Sequence, residues 1–249
     1  MAEPRFHALP DGRRLAYRLV PGSGPALVFL PGYMSDMSGS KASAVMEWAA
    51  ANGRCCLLLD YSGCGESEGD FADGTLSRWA EEVLALVDAH VPSQGGEPGE
   101  VVLVGSSMGG WLMLLAGLAL GARLAGLVGI AAAPDFTEWG YDFEEKARLE
   151  RGETVLRDNS YGPEPTPLHA GFWRDGQRNR LLQGRIPLTC PVRLLHGQED
   201  ADVPFATSLR LASALDSNDV QVTLIKGGDH RLSRPGEIAL LLSTIASIA

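Results

Sequence analysis

At 249 residues the chain has the length of one large α/β domain, and a chain of that size buries roughly 70–75% of the surface its unfolded form exposes. A deep core and a pocket are both within its reach. The mix of 45% hydrophobic and 21% charged residues is that of an ordinary globular protein. Its net charge of -10 argues against partners held by a broad basic surface, nucleic acid and anionic membranes foremost.

Residues 1–12 carry prolines and acids but no apolar stretch of the kind that marks a secretory signal. Residues 5–9 and 14–20 flank Asp11-Gly12, a dipeptide suited to the positive φ of a hairpin turn. Short apolar runs follow at 26–30, 54–60, 101–105, 127–131 and 192–196; such unbroken runs suit parallel strands covered on both faces. Residues 220–225 partly alternate, with Gln221 and Thr223 between apolar neighbours, and predict a strand nearer the sheet edge. Between these lie helical stretches at 41–51, 76–91, 108–120, 206–215 and 235–248. In the second, Leu76, Trp79, Val83, Leu86 and Val87 recur at mostly three- and four-residue steps and form an apolar stripe. Strands alternating with helices predict right-handed crossovers and the α/β class, with a mostly parallel central sheet and helices on both faces. Residues 111–133 are the most membrane-like stretch, but Arg123 and several glycines favour a buried helix followed by a central strand over a span. One segment breaks the rhythm: residues 135–186 show no convincing strand, several prolines and seven aromatics (Phe136, Trp139, Tyr141, Phe143, Tyr161, Phe172, Trp173). That is too long for a structureless connection and predicts a small helical cap inserted over the strand ends of a single domain spanning 1–249.

The chemistry centres on Gly105-Ser106-Ser107-Met108-Gly109, which follows an apolar strand and opens an apolar helix. In that setting G-x-S-x-G describes a sharp strand-to-helix turn that holds the middle serine in strained torsions, with glycines where side chains would collide. Ser107 is the candidate nucleophile, at a helix N-terminus whose free amides favour negative charge. Ser106 occupies the variable position and points elsewhere. A serine needs a base, and the base an orienting acid, in the order Ser, acid, His on such a fold. Downstream, the strand at 192–196 ends in His196-Gly-Gln-Glu-Asp200-Ala-Asp202, which makes Asp200 the candidate acid with Asp202 and Glu199 as rivals. Past the last strand, Lys226-Gly-Gly-Asp229-His230 puts His230 on a glycine-softened loop as the candidate base, with Asp229 bracing the loop. The second oxyanion donor beside Met108 N–H is expected from Leu30-Pro-Gly-Tyr33-Met34-Ser35, with Tyr33 N–H placed for it. Met34, Phe136 and Trp139 are candidate pocket residues.

Of the other histidines, His7 and His90 precede the serine, His169 falls in the cap, and His196 ends a buried strand as a hydrogen-bonded structural residue. No two of the five are spaced for a metal site, and no cofactor is expected. The glycine-rich Asp60-Tyr-Ser-Gly-Cys-Gly-Glu-Ser67 lacks the Lys-Ser/Thr ending of a phosphate loop and reads as a structural turn. The four cysteines form no C-x-x-C pair, so buried free thiols and a reduced compartment are expected.

Together these blocks resemble the α/β-hydrolase superfamily along the whole chain. More closely they resemble its branch of mitochondrial palmitoyl-protein thioesterase, also described as acyl-glucuronide esterase, with bacterial relatives. The matching stretches are Leu30-Pro-Gly-Tyr-Met-Ser with Gly39-Ser-Lys41-Ala, Asp60-Tyr-Ser-Gly-Cys-Gly-Glu-Ser, Gly105-Ser-Ser-Met-Gly-Gly-Trp-Leu-Met, Cys190-Pro-Val-Arg-Leu-Leu-His-Gly with Asp200 and Val203-Pro204, and Asp229-His230-Arg231. The resemblance implies Ser107, Asp200 and His230 as a triad, and hydrolysis of small-molecule or protein-linked acyl thioesters or activated esters. The same site suits a carboxylesterase or lipase on oxygen esters; a non-catalytic receptor that keeps the pocket is the rival from another class. With no mitochondrial presequence in view, a cytoplasmic, bacterial protein is expected. The cap matches less clearly than the motifs.

Overall fold

The computed structural model describes residues 3–93, 98–159 and 162–249. Strands β1 (Arg5–Ala8) and β2 (Arg14–Val20) pair antiparallel across the Asp11-Gly12 turn, as expected. Then follow β3 (Ser23–Leu30), α1 (Ser40–Ala51), β4 (Arg54–Leu59), α2 (Leu76–His90), β5 (Val101–Ser106), α3 (Met108–Leu120) and β6 (Leu124–Ile130). The inserted segment contributes α4 (Phe136–Trp139), α5 (Phe143–Glu150), β7 (Val155–Arg157), β8 (Thr166–Leu168) and α6 (Ala170–Arg178). The chain then returns through β9 (Val192–Gly197), α7 (Ala206–Ala214), β10 (Val220–Ile225) and α8 (Pro235–Ala246).

Eight strands form one sheet in the order β1-β2-β4-β3-β5-β6-β9-β10. All pairs from β4 to β10 are parallel, and β2 joins β4 antiparallel. The apolar runs explain themselves once both faces are seen. Val28, Leu30 and Leu103 pack with Trp79, Val83 and Leu86 of α2 and Trp111 of α3. Their neighbours Leu27, Phe29, Val102 and Val104 pack on the opposite face with Val45 and Met46 of α1 and Leu241 and Ile245 of α8. β10 sits at the edge with the half-wet pattern its alternation predicted. The apolar stretch at 111–133 divides into most of α3 and all of β6, and no described helix is long and apolar enough to cross a membrane.

The segment 135–186 departs from expectation. Rather than helices alone it contains an antiparallel pair, β7 with β8, in the register Val155↔Leu168 and Arg157↔Thr166. Strands of three residues leave no periodic signal, and Pro167 inside one of them argued against a strand; a two-stranded ribbon is all edge, so its missing N–H costs no ladder bond. The segment is tied down at its root by Asp135, whose two carboxylate oxygens accept the backbone N–H groups of Leu181 and Leu182, each at 2.8 Å.

Trp79 tests the packing of this layer. It is fully buried, stacks on Tyr61 at 5.2 Å and donates from Nε1 to the Ser62 carbonyl at 3.1 Å. Trp79→Ala is expected to lower unfolding free energy by about 3–5 kcal/mol, read as an earlier urea midpoint at unchanged slope.

Candidate active site

β5 ends at Ser106 and α3 begins at Met108, so Ser107 stands alone between them at φ 54° and ψ -117°. A serine in that region costs on the order of 1–3 kcal/mol and persists only where its surroundings over-determine it. Here Ser107 N–H donates to the Ile130 carbonyl at 2.9 Å, and its own carbonyl accepts from Ala133 N–H at 3.0 Å. The flanking glycines are required by contact. A Cβ on Gly105 would lie 2.3 Å from the Gly109 carbonyl oxygen, and one on Gly109 would lie 2.0 Å from that of Leu30. The turn thus pins β5, α3 and the end of β3 together, with the serine hydroxyl at the carboxyl ends of the strands, where ligands bind in open α/β sheets.

Two loops at the same edge bring the partners. His230, on the loop after β10, faces Ser107 Oγ through Nε2 at 3.1 Å and Asp200 Oδ2 through Nδ1 at 2.8 Å. With the carboxylate acting only as acceptor, Nδ1 carries the proton and Nε2 is left to accept from the serine hydroxyl. The Asp200 side chain is fully buried. Its Oδ1 accepts from the N–H groups of Asp202 at 2.9 Å and Val203 at 2.8 Å. Its Oδ2 also lies 3.1 Å from Nε2 of His196. Burial alone works to raise the carboxyl's pKa, but hydrogen bonds from His196, His230 and Val203 outweigh it and hold the group well below the usual carboxylate range.

The rival acids fall elsewhere: Glu199 is exposed and donates its backbone N–H to the Gly228 carbonyl at 2.9 Å. Asp202 is exposed and offers Asp200 its backbone N–H. Asp229 braces its loop as expected, Oδ1 accepting from the N–H groups of Arg231 and Leu232, each at 3.0 Å.

The sequence between residues 27 and 239 matches the Alpha/beta hydrolase family. The chain belongs to that family. It is 37% identical over 240 residues, 95% of this chain and 76% of the relative, to the human protein named mitochondrial palmitoyl-protein thioesterase ABHD10. The solved structure of alpha/beta hydrolase domain-containing protein 10 from mouse superposes with a TM-score of 0.89 at 37% identity, over 99% of this chain and 98% of the other. A crystal structure from Agrobacterium vitis S4 gives 0.90 at 38% identity over 99% of both chains. Est1E from Butyrivibrio proteoclasticus, solved with ferulic acid bound, shares the fold at a TM-score of 0.80 and 22% identity, over 97% of this chain and 96% of that one.

In this alpha/beta hydrolase, Ser107 and His230 open onto a cavity of about 770 Å³, which Tyr33, Met34, Met108, Phe136 and Trp139 also line. The Gly32-Tyr33 backbone passes close to the serine: the Cβ position of Gly32 is 3.4 Å from Ser107 Cβ. Asp60 steadies this loop from below, accepting the Met37 N–H at 2.7 Å and the Glu66 N–H at 2.9 Å, so the glycine-rich turn is structural. Among the described aromatics of the inserted segment, only Phe136, Trp139 and Tyr141 line the cavity. Phe172 is core, Trp173 packs beneath the segment, Phe143 is 89% exposed, and Tyr161 lies outside the described residues. Spacing at 3.6 residues per turn cannot tell which face of a short helix meets a cavity.

His196 is fully buried and hydrogen-bonded, as a structural reading requires. The sequence did not reveal its partner. Its Nε2 lies 2.9 Å from the Val203 carbonyl and 3.1 Å from Asp200 Oδ2, both acceptors, so that nitrogen carries the proton and Nδ1 accepts from Ser208 Oγ at 2.7 Å. The signal was the i, i+4 spacing of His196 and Asp200. Asp200, Asp202 and His230 place ligand atoms within 4.8 Å of one another, but two of the three already face each other as donor and acceptor, and Asp202 is exposed.

Two outcomes follow from this packing. Asp200 binds its proton less tightly folded than unfolded, so it contributes stability that is fully present above its ordinary pKa of 3.8 and lost as pH falls toward the lower folded value. Asp200→Asn is expected to flatten the acid limb of stability against pH, measured by urea unfolding between pH 3 and pH 7. His196→Leu strands Ser208 and the Val203 carbonyl in the core and is expected to cost about 1–3 kcal/mol in the same assay.

Proposed function

We propose that this alpha/beta hydrolase cleaves acyl thioesters or activated acyl esters with Ser107 as nucleophile, His230 as general base and Asp200 as orienting acid. One observation carries the reading: a single imidazole lies 3.1 Å from Ser107 Oγ and 2.8 Å from a buried carboxylate, the arrangement an unactivated hydroxyl needs to become a nucleophile at neutral pH. The thioester half draws support from the 37%-identical human protein named as a palmitoyl-protein thioesterase.

Ser107 Oγ attacks the acyl carbon while its proton passes to His230 Nε2. Negative charge gathers on the former carbonyl oxygen, opposite the amides of Met108 and Tyr33, where fixed dipoles stabilise it without reorganising. The C–S or C–O bond then breaks, His230 returns its proton to the leaving thiolate or alkoxide, and the acyl group remains as a serine ester. Water repeats the attack with His230 again taking the proton, which goes back to Ser107 as the free acid departs. No electrons are exchanged and no cofactor enters. The acid of the pair keeps the imidazole in the Nδ1–H tautomer and balances the imidazolium between steps. All four cysteines are unpaired, which suits a reducing compartment such as the cytoplasm.

Ser107→Ala is expected to cut turnover by a factor on the order of a million without unfolding the chain, and to end labelling by a fluorophosphonate, which a receptor with a dead site also resists. Retention of a few percent of turnover would move the nucleophile elsewhere. Asp200→Asn is expected to cost roughly ten-thousandfold and Asp202→Asn far less; a reversal of the two makes Asp202 the acid.

The cavity of about 770 Å³ under an inserted cap fits the size range of small-molecule sites. Each acyl methylene buried there adds about 0.8 kcal/mol, so efficiency on thioesters is expected to climb from acetyl to medium-chain groups and then level off. A series from acetyl to palmitoyl, run beside matched oxygen esters, checks both the chain-length trend and the thioester preference; faster turnover of acetyl than octanoyl sinks the acyl-pocket reading.

A further inference from the structure

Lys41 stands where local rules disfavour a lysine. It is the second residue of α1, at the positive end of the helix dipole, where a cation is unfavourable. It is half-buried, and its side chain reaches into the wall of the cavity that holds Ser107 and His230. Burial pushes its ammonium down to about 8, and Arg231 acts in the same direction against the carboxylates of Asp229 and Glu237. A residue that breaks dipole and solvation preferences at once, beside the cavity that holds Ser107 and His230, is expected to have a function that offsets them.

Its contacts show where that function lies. Nζ donates to the backbone carbonyl of Arg231 and lies 3.4 Å from Ser233 Oγ. These residues are one and three positions beyond His230, and 190 and more positions from Lys41 along the chain. The loop between β10 and α8 is tied at its start to the end of β9, where the Gly228 carbonyl accepts the Glu199 N–H at 2.9 Å, and it seats Leu232 in the core. Within the loop, Asp229 accepts from neighbouring N–H groups and the Arg234 side chain donates to the Gly227 carbonyl. Those bonds set the loop's internal shape. Of all these hydrogen bonds, only those from Lys41 join the residues just beyond His230 to α1. The ammonium of Lys41 joins the loop to a helix that is anchored in the core through Ala42, Val45, Met46 and Ala49.

We propose that Lys41 is a positioning residue, which fixes the His230 loop against α1 through the Arg231 carbonyl and Ser233 and so holds the imidazole at transfer distance from Ser107. This rests on His230 being the general base. The physical leverage is geometric: a displacement of about 1 Å between reacting groups costs roughly a hundredfold in rate.

The test compares kcat and KM for a p-nitrophenyl ester, the rate of fluorophosphonate labelling, and thermal melting in Lys41→Met, Lys41→Gln and His230→Ala. Both Lys41 variants are expected to melt cooperatively and to lose roughly ten- to hundredfold in kcat, with labelling slowed in parallel and KM changed by less than about threefold. A kcat within about twofold of the parent in either folded variant, beside an inactive His230→Ala, overturns the proposal and leaves the base assignment standing. Activity surviving in His230→Ala overturns the base assignment itself, whatever Lys41 does. A raised KM at unchanged kcat overturns the proposal in favour of substrate contact. Should Lys41→Met fail to fold, Lys41→Gln, which keeps a neutral donor, decides by the same criteria; failure of both to fold makes Lys41 a determinant of stability and likewise overturns it.

Discussion

Three backbone segments crowd together at the turn from β5 to α3, and nearly every other feature of the site is placed relative to that contact. Leu30 ends β3 with its carbonyl so near Gly109 that no side chain fits between them, and Gly105 meets Gly109 equally closely. Helix α3 can approach the sheet this tightly only if the residue between strand and helix takes a positive φ. Ser107 takes it, and Ile130 and Ala133 supply the hydrogen bonds that hold it there. The strain is local, while the bonds and the apolar packing that maintain it are spread over β3, β5, β6 and α3. A serine on so rigid a platform keeps its hydroxyl in one place, which lowers the ordering cost of any reaction that uses it.

The buried carboxylate solves a second physical problem. A charge without water is tolerated only when its oxygens are satisfied, and Asp200 receives two backbone N–H groups on one oxygen and two imidazoles on the other. His230 is the partner that faces the cavity; His196 is sealed behind it and orders the carboxylate from the protein side. The same carboxylate therefore belongs to the core through one histidine and to the cavity edge through the other. Loss of either partner acts on both stability and orientation.

The inserted segment is joined to this machinery by Tyr33. The tyrosine hydroxyl donates to the Pro167 carbonyl of β8 at 2.8 Å, and its ring meets Phe71, Phe136 and Phe172 edge-on at 4.9, 6.2 and 5.0 Å. Tyr33 is thus both part of the loop that passes Ser107 and a fastening for the segment that roofs the cavity. A change in how the roof sits is therefore transmitted to the loop that passes Ser107 through one side chain.

How much of this was legible in the chain itself follows the range of the interactions. The strand runs, the hairpin at Asp11-Gly12, the stripe of α2 and the G-x-S-x-G turn all rest on neighbours a few residues apart, and each stands where periodicity and turn chemistry put it. Ser107, Asp200 and His230 were legible as candidates because each closes a strand, and a parallel sheet delivers strand ends to one edge. Tertiary structure alone decided the rest. It paired β7 with β8, turned only three of the described inserted aromatics toward the cavity, gave His196 a carboxylate partner, and brought Lys41 to a carbonyl 190 residues away. Those outcomes depend on which faces meet after the chain has folded, and one-dimensional spacing records faces without recording what they meet.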